Sequence, residues 1–382
     1  MRLPRPGLHL RNDDLDLGFV GAVLTLVLLG TIAVFGAGSF QPGVSDMHHF
    51  LMRHLERLAV GLVAAVGFAL LDHVRLRRAW LVYGALGACL ALTAIPVILR
   101  TAGIDRWVEL PGVGQFQPVE LAKLALIVFL AYRLSRSTLD RPLAGRSLAV
   151  TLLAGPVALM VLLALQPNFG NVLVTALVTA LMLVLAGLDL RWLAAAVPAG
   201  GLAAVAGYLA SSKLHLRIQQ WWSGWQGRGV DGEPPFSYQV HQSLLGMGAG
   251  GWHGLGAGGS HNKFSFLPEN HTDFAFSYLG ETLGLAGTLV VLAALVVLIW
   301  RTLIIARRAT TPFGRLLAAG LGGMLFIYGA ANIAMVTGVT PVMGIPLPFV
   351  SYGGSALVTN LAAVGLILNV DRQSRGRRRR RA

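Results

Sequence analysis

Residues 267–300 read LPENHTDFAFSYLGETLGLAGTLVVLAALVVLIW, and the rest of the chain is best understood from this stretch. It opens with polar and turn-forming residues and continues, over 274–300, as a long apolar segment of the kind that spans membranes. Asp273 therefore lies where a polar loop meets a membrane span, a place where ionisable groups usually have a function. The alternative is that Thr272 or Asp273 only caps the helix that follows.

The whole chain shares this apolar character. Of its 382 residues 55% are hydrophobic and 13% charged, and the mean hydropathy is +0.65, which excludes a soluble domain of this size. We predict an all-α polytopic membrane protein that forms one integral membrane domain, 1–382, with about ten transmembrane helices. The predicted spans are 17–35, 55–71, 79–99, 119–132, 148–165, 172–186, 192–210, 274–300, 313–336 and 356–370.

The distribution of positive charge predicts the orientation, because Lys and Arg accumulate on the cytoplasmic side of membrane proteins. With the N-terminus inside, 22 of the 31 Lys and Arg residues lie in inner segments, 8 in outer segments, and Lys123 within a span. Both termini are then cytoplasmic. Residues 211–271 form a large extracytoplasmic loop between helices 7 and 8, and 371–382 form a basic cytoplasmic tail against anionic lipid. The net charge of +14 reflects this asymmetry and not a nucleic-acid partner.

The 211–271 segment is longer than a connection requires, and long ordered loops usually carry function. Its stretch 246–259 twice matches the G-x-G-x-x-G pattern. We exclude a nucleotide site, since no predicted strand or βαβ unit surrounds it, and expect the glycines to permit tight turns and close backbone approach. Four of the five histidines of this segment lack the spacing of a metal motif and are interpreted as solvated. They are His241, His253, His261 and His271.

Several ionisable residues lie in or beside spans, where a charge costs about 2.5–3.5 kcal/mol at mid-bilayer. Glu120 and Lys123, three residues apart, share one helix face and can pair. Glu281 lies two turns into the eighth span. One interpretation is that the Glu120–Lys123 pair serves only to fix helix packing. The other is that it lines a polar cavity whose cations suit a phosphate-bearing substrate. Three further charges flank the second span: Arg53, Glu56 and Arg57.

Six motifs resemble, in order, those of the SEDS family (shape, elongation, division and sporulation), the FtsW/RodA-type proteins. They are R-W at 106–107 with Q-P-V-E-x-x-K at 117–123, Q-P-N-F-G at 166–170, Y-Q and a glycine-rich run over 238–256, L-P-E-N-H-T-D-F at 267–274, G-E-T-L-G at 280–284 and P-x-x-G-x-x-x-P-F-x-S-Y-G-G-S at 341–355. Each motif alone is weak. Their shared order over nearly the whole chain makes the resemblance specific.

The resemblance implies a ten-helix protein of the bacterial cytoplasmic membrane that polymerises lipid II as a peptidoglycan glycosyltransferase. It implies that Asp273 is the catalytic residue. It also implies a class B penicillin-binding protein as partner, which would supply the transpeptidase, with lipid II and the lipid-linked glycan strand as substrates. The residues expected to bind substrate are Arg53, Trp107, Glu120, Lys123, His271 and Ser351.

The chain departs from the family pattern at three positions. Asn168 stands where the family has aspartate, so no carboxylate is available there, and Val119 and Thr282 replace the usual Ser and Glu. The catalytic aspartate and the Glu120–Lys123 pair are retained.

The implied chemistry needs a single base. A diphosphate leaves without prior protonation, whereas the acceptor 4-hydroxyl must lose its proton, and Asp273 would accept it as the hydroxyl attacks with inversion. Arg53 and Lys123 would stabilise the departing diphosphate. The one expected cofactor is a divalent cation, Mg²⁺ or Mn²⁺, which Asp273 could hold instead of acting as base. The residues leave these two roles open.

Two other classes remain open. A flippase for lipid-linked precursors would use a polar cavity but would not need a carboxylate at the outer boundary. A scaffold for division or elongation proteins would need neither Asp273 nor Lys123, and retained intramembrane charge argues against it.

Overall fold

The computed structural model describes residues 16–38, 49–71, 75–99, 106–110, 114–136, 145–230, 235–259 and 272–379. Most of them are helical. The α-helices are α1 (Leu17–Gly38), α2 (His49–Leu70), α3 (Ala79–Leu99), α4 (Pro118–Leu134), α5 (Gly145–Leu152), α6 (Ala158–Leu165), α7 (Phe169–Leu185), α8 (Leu190–Ala210), α9 (Ser212–Trp225), α10 (Tyr238–Gly250), α11 (Gly256–Gly259), α12 (Ala275–Arg308), α13 (Pro312–Val336) and α14 (Gly354–Arg379).

Two short segments of the described chain are exceptions to the expected all-α fold. Strands β1 (Val108–Leu110) and β2 (Gly114–Phe116) form an antiparallel hairpin between α3 and α4. The sequence there alternates apolar and polar residues over too few positions for a helix, which is the pattern of a short strand. A π-helical segment, Leu153–Val157, joins α5 and α6 into one apolar run.

The chain is a multi-pass membrane protein. Each of the ten predicted spans falls on described helix, the fifth being the α5–α6 run. By length and hydropathy six of the described helical segments can cross a membrane, or seven if the bent pair of α8 and α9 is one broken span. The count of ten remains a prediction, because α4 and α7 have only 17 residues each and α2 carries three charges.

The centre of the protein is formed by α13 and α14. In the apolar 18-residue stretches of α13 and α14, 67% and 83% of the residues are buried, compared with 22% in that of α3. α13 packs against α4, α7, α12 and α14, and α14 runs along α2. Close approach of α14 to α2 depends on small residues: a Cβ added at Gly365 would lie 2.2 Å from the main-chain oxygen of Ala65.

The predicted 211–271 loop contains helices that the sequence analysis did not anticipate. α9 turns from α8 by 102°, and α10 and α11 follow it. The side chains of Ser211 and Ser237 accept hydrogen bonds from Leu214 N and Val240 N, so both serines are N-caps. The predicted tail also differs, since α14 continues to Arg379 and its residues Asp371 and Ser374 are buried.

The glycine-rich stretch brings two backbones together, as predicted. α12 is kinked at Gly284, which has φ 69°, and Gly254 has φ 77°. A Cβ on Gly254 would lie 2.2 Å from Thr282 O, so only glycine fits there. Leu255 N donates to Glu281 O at 2.9 Å across this crossing, which fixes the segment after α10 against the first turns of α12.

Candidate active site

Asp273 lies in the turn that leads into α12, and Asn332 of α13 holds its backbone. The Asn332 side-chain amide donates to Asp273 O at 2.7 Å and to Ile345 O at 2.6 Å. The N-cap of α12 is Phe274, which makes no side-chain cap. Thr272 and Asp273 thus precede the N-cap position of α12.

The segment between α13 and α14 passes directly over this carboxylate. Gly344 has φ 67°, and a Cβ added there would lie 3.5 Å from Asp273 Oδ2. The carboxyl group thus rests against a glycine whose backbone conformation disfavours other residues. Since Ile345 shares the Asn332 amide with Asp273, the segment and the carboxylate are positioned by one side chain.

Two arginines from distant parts of the chain share the region of Asp273. The charges of Arg106 and Asp273 both act on the Arg217 guanidinium of α9. Arg106 precedes β1, and its Nε donates to Gln166 O at 3.2 Å, so this guanidinium is tethered to the turn before α7. One carboxylate in the same region as two guanidinium groups leaves a local excess of positive charge, which favours binding of an anion.

α9 is held against the same segment that covers Asp273. Trp221 Nε1 donates to Gly338 O at 3.0 Å. Arg217 is four residues earlier, on the same face of α9, and lines a small cleft with Thr340 and Val342. The packing of α9 against this segment therefore places Arg217 at the cleft.

A second polar cluster lies inside the helix bundle. Lys123 Nζ is 2.8 Å from Glu120 Oε2 and 3.6 Å from the centre of the Tyr328 ring. The Tyr328 hydroxyl donates to Asn171 Oδ1, and Asn171 Nδ2 donates to Asn168 Oδ1 at 3.0 Å. The predicted pairing of Glu120 with Lys123 is confirmed.

This inner cluster is closed. Glu120 is 1% exposed and Lys123 5%, and no described contact joins either one to Asp273. The two clusters are linked through α13, because Tyr328 and Asn332 are four residues apart on one helix face. The family resemblance places Asp273 and Lys123 in a single site; in the structure Lys123 contacts Tyr328 and Asp273 is bonded by Asn332, one turn further along α13.

The other expected substrate-binding residues occupy different surroundings. Arg53 is exposed on α2, and Trp107 is 37% exposed beside β1. Ser351 is buried, and its hydroxyl accepts a hydrogen bond from Leu347 N at 2.8 Å, so it stabilises the turn before α14. His271 lies outside the described residues.

Three residues of the site were not anticipated from the sequence: Arg217, Tyr328 and Asn332. Tyr328 and Asn332 are polar residues four apart in an apolar span, and that spacing is the signal that could have revealed them. Arg217 is one of several cations in a polar segment and becomes distinct only when α9 is seen as a helix with Trp221 on the same face. As for metals, the described part of the chain contains no group of three His, Cys, Asp or Glu side chains.

The fold and the site define a multi-pass membrane protein. Its candidate site combines the carboxylate of Asp273, at the start of α12, with arginines that favour an anionic ligand. The chain belongs to the FtsW, RodA and SpoVE family: the family described as "Cell cycle protein" matches it over residues 16–376. This confirms the resemblance that the six motifs carried.

Named relatives and solved structures agree with this assignment. The chain is 35% identical to a probable peptidoglycan glycosyltransferase FtsW of Geobacter sp. strain M18, over 96% of this chain and 99% of the relative. It is 34% identical to the peptidoglycan glycosyltransferase MrdB of Escherichia coli K12, over 91% of each. The crystal structure of the rod shape determining protein RodA of Thermus thermophilus has a TM-score of 0.67 at 29% identity, covering 94% and 97% of the two chains.

A further structural relative comes from a study titled "Structural coordination of polymerization and crosslinking by a peptidoglycan synthase complex". Its TM-score is 0.74 at 28% identity, with 94% of this chain and 98% of that chain covered. The family, the curated relatives and the fold together make the chain a peptidoglycan glycosyltransferase, as predicted.

Proposed function

We propose that this glycosyltransferase polymerises lipid II at the outer face of the cytoplasmic membrane with Asp273 as general base. The observation that carries the proposal is the position of Asp273 at the start of α12: Asn332 fixes its backbone, its carboxylate lies against Gly344, and Arg106 and Arg217 share its region. In the reaction, Asp273 takes the proton of the acceptor 4-hydroxyl while that oxygen attacks the anomeric carbon of the donor. The bond to the diphosphate breaks on the opposite side, and the product has inverted stereochemistry.

The departing diphosphate gains negative charge, which Arg106 and Arg217 are placed to stabilise. Lys123 was expected to serve this purpose, but its ammonium group is buried and paired with Glu120. We therefore assign the diphosphate to the two arginines and assign Glu120 and Lys123 to the polar interior that supports α13. Trp107, the residue after Arg106, remains a proposed substrate-binding residue.

A divalent cation, Mg²⁺ or Mn²⁺, remains a proposed cofactor. Mg²⁺ is usually bound through one or two carboxylates together with substrate phosphates. Asp273 supplies one carboxylate, and the neighbouring guanidinium groups would repel a dication until a diphosphate is present. The residues thus fit a cation that arrives with the substrate, and it would neutralise charge on the leaving group.

The proposed setting is the bacterial inner membrane. We propose ten spans with both termini cytoplasmic and the α9–α11 region outside, supported by the bias of Lys and Arg toward inner segments. The likeness to a chain from a peptidoglycan synthase complex supports a class B penicillin-binding protein as partner. A reporter active only in the cytoplasm, fused after Ala382 or after Gly259, tests the topology: activity is expected only from the first fusion.

Reconstitution tests the activity itself. The purified chain with its penicillin-binding partner, given lipid II, is expected to produce a ladder of glycan strands on a gel. A flippase would instead move labelled lipid II across vesicle membranes and leave it monomeric, and that result would contradict the proposal.

A further inference from the structure

Arg57 is a partly buried cation that lies eight residues into α2. Its charge acts on His54, one turn earlier. Among the residues that the structure describes, its guanidinium forms no ion pair and no hydrogen bond. Its contact is with an aromatic ring, since its Cζ is 4.9 Å from the centre of Tyr352. Charged groups within membrane spans normally pair with another group or mark a functional position.

The surroundings keep the guanidinium group in one place. Phe50 packs edge-on against Tyr352, with the ring centres 5.5 Å apart, which fixes the aromatic surface. A Cβ added at Gly354 would lie 2.4 Å from Arg57 Nε and 2.6 Å from its Cζ, so glycine is needed for the guanidinium to lie there. When a guanidinium stacks on an aromatic ring, its planar face makes the contact and the N–H donors at its edge can still bind other partners.

The N–H edge of arginine is suited to bind phosphate through two parallel hydrogen bonds. Arg53, which the family resemblance implies, is one turn earlier on α2 and exposed, so the two arginines lie on one helix face. In the proposed membrane setting, a cation of α2 meets phosphate mainly as the headgroup of a lipid.

We propose that Arg57, stacked on Tyr352 and accommodated by Gly354, binds the phosphate group of a membrane lipid where α2 meets the start of α14. Two kinds of membrane lipid carry such a phosphate group: a polyprenyl lipid carries a diphosphate, and a phosphoglycerolipid carries a phosphodiester. The site concerns binding alone and involves no transfer step. Its failure would leave the assignment of Asp273 intact.

The test measures binding to the purified full-length chain in detergent. The probes are undecaprenyl diphosphate, phosphatidylglycerol and, as a lipid without phosphate, diacylglycerol. The variants are Arg57→Gln, which removes the charge, and Gly354→Ala, which keeps the charge but displaces the guanidinium. Arg75→Gln is the matched control, because Arg75 is an exposed arginine beyond the other end of α2.

In Arg57→Gln we expect the Kd for one or both phosphate lipids to rise by about tenfold, the scale of a lost charge-assisted hydrogen bond. Gly354→Ala should shift the same Kd in the same direction and tests the site even if Arg57→Gln does not fold. Diacylglycerol binding and Arg75→Gln should be unchanged, and the lipid that loses affinity identifies the source. A loss below about threefold for both phosphate lipids, or an equal loss in Arg75→Gln, overturns the proposal.

Discussion

The side-chain amide of Asn332 donates a hydrogen bond to the main-chain oxygen of Asp273, at a distance of 2.7 Å. The same amide donates to Ile345 O, so one side chain of α13 fixes both the turn before α12 and the segment that covers the carboxylate. The carboxylate itself is not used in this support. Asn332 is therefore a positioning residue for the proposed base.

Replacing Asn332 with Leu should impair catalysis as well as stability. The change leaves two carbonyl oxygens without their donor, which typically costs about 1–3 kcal/mol of unfolding free energy each when they are buried. Because the carboxylate then loses its fixed position, we expect kcat for lipid II polymerisation to fall while KM changes little.

Asn369 provides the matched control for this prediction. Its side-chain amide also bridges two carbonyl oxygens, those of Phe68 and Ala69, but it lies in the second half of α14, against the end of α2. Asn369→Leu should lower the unfolding temperature to a similar degree and leave kcat of the folded protein unchanged. Equal loss of kcat in both variants would show that Asn332 has a purely structural role.

The Glu120–Lys123 pair can be tested by removing one or both charges. Lys123→Met leaves a buried carboxylate unpaired, and breaking a buried pair in this way costs about 3–5 kcal/mol. The double change Glu120→Gln with Lys123→Met removes both charges and should restore folding and most of the polymerisation activity. A double variant that folds normally but makes no glycan would show that Lys123 acts on the substrate directly.

Arg217→Gln should weaken the stabilisation of the departing diphosphate. The loss of a charge-assisted hydrogen bond of about 1.5–3 kcal/mol corresponds to at least a tenfold fall in kcat/KM for lipid II. Arg228→Gln removes the same charge from an exposed position just after α9 and should have little effect. Steady-state rates with labelled lipid II provide the measurement, and equal rates in the two variants would remove Arg217 from the site.

The lowered pKa of Asp16 leads us to expect that the stability of the folded protein depends on pH. Burial raises the pKa of this carboxyl, but hydrogen bonds from Arg301 and from Phe19 N, together with the charges of Arg301 and Arg375, outweigh it and leave the pKa below its ordinary value. A carboxyl whose pKa is lower in the folded state stabilises the protein above its ordinary pKa, about 3.9. That contribution is lost as the pH falls through the lower, folded-state pKa.

The measurement is thermal unfolding of the parent protein and of the variant Asp16→Asn between pH 7 and pH 3. Asp16→Asn should lower the unfolding temperature at pH 7, and its difference from the parent should shrink in acid. Asp189→Asn is the control, since Asp189 is an exposed N-cap and Asn caps about equally well. A constant difference across the pH range would contradict the assignment of this ion pair.

The sequence predicts the helices of the bundle well because their apolar length is a local property, as in α12 and α13. The helices α9 and α10 were missed, since their N-caps Ser211 and Ser237 lie in a polar segment without a long apolar stretch. The partners of Asp273 were missed for another reason. Asn332 is 59 residues away along the chain, and only the packing of α13 against α12 brings them together.

The different surroundings of Lys123 and Asp273 could not be predicted from the sequence. Motif order implies that both residues serve one reaction, but it contains no information on which residue of α13 each of them contacts. By contrast, the pairing of Glu120 with Lys123 was predictable, because three residues of spacing place two side chains on one face of any helix.

The central claim, that Asp273 is the base, is tested most directly by Asp273→Asn in the lipid II polymerisation assay. Asn keeps the size of the side chain, and the Asn332 bond to the main-chain oxygen is unaffected, so the variant should insert and unfold like the parent. Loss of a general base typically lowers the rate about 10²–10⁴-fold, and the glycan ladder should disappear at equal enzyme concentration. Polymerisation within about threefold of the parent, far above that expected loss, would contradict the claim.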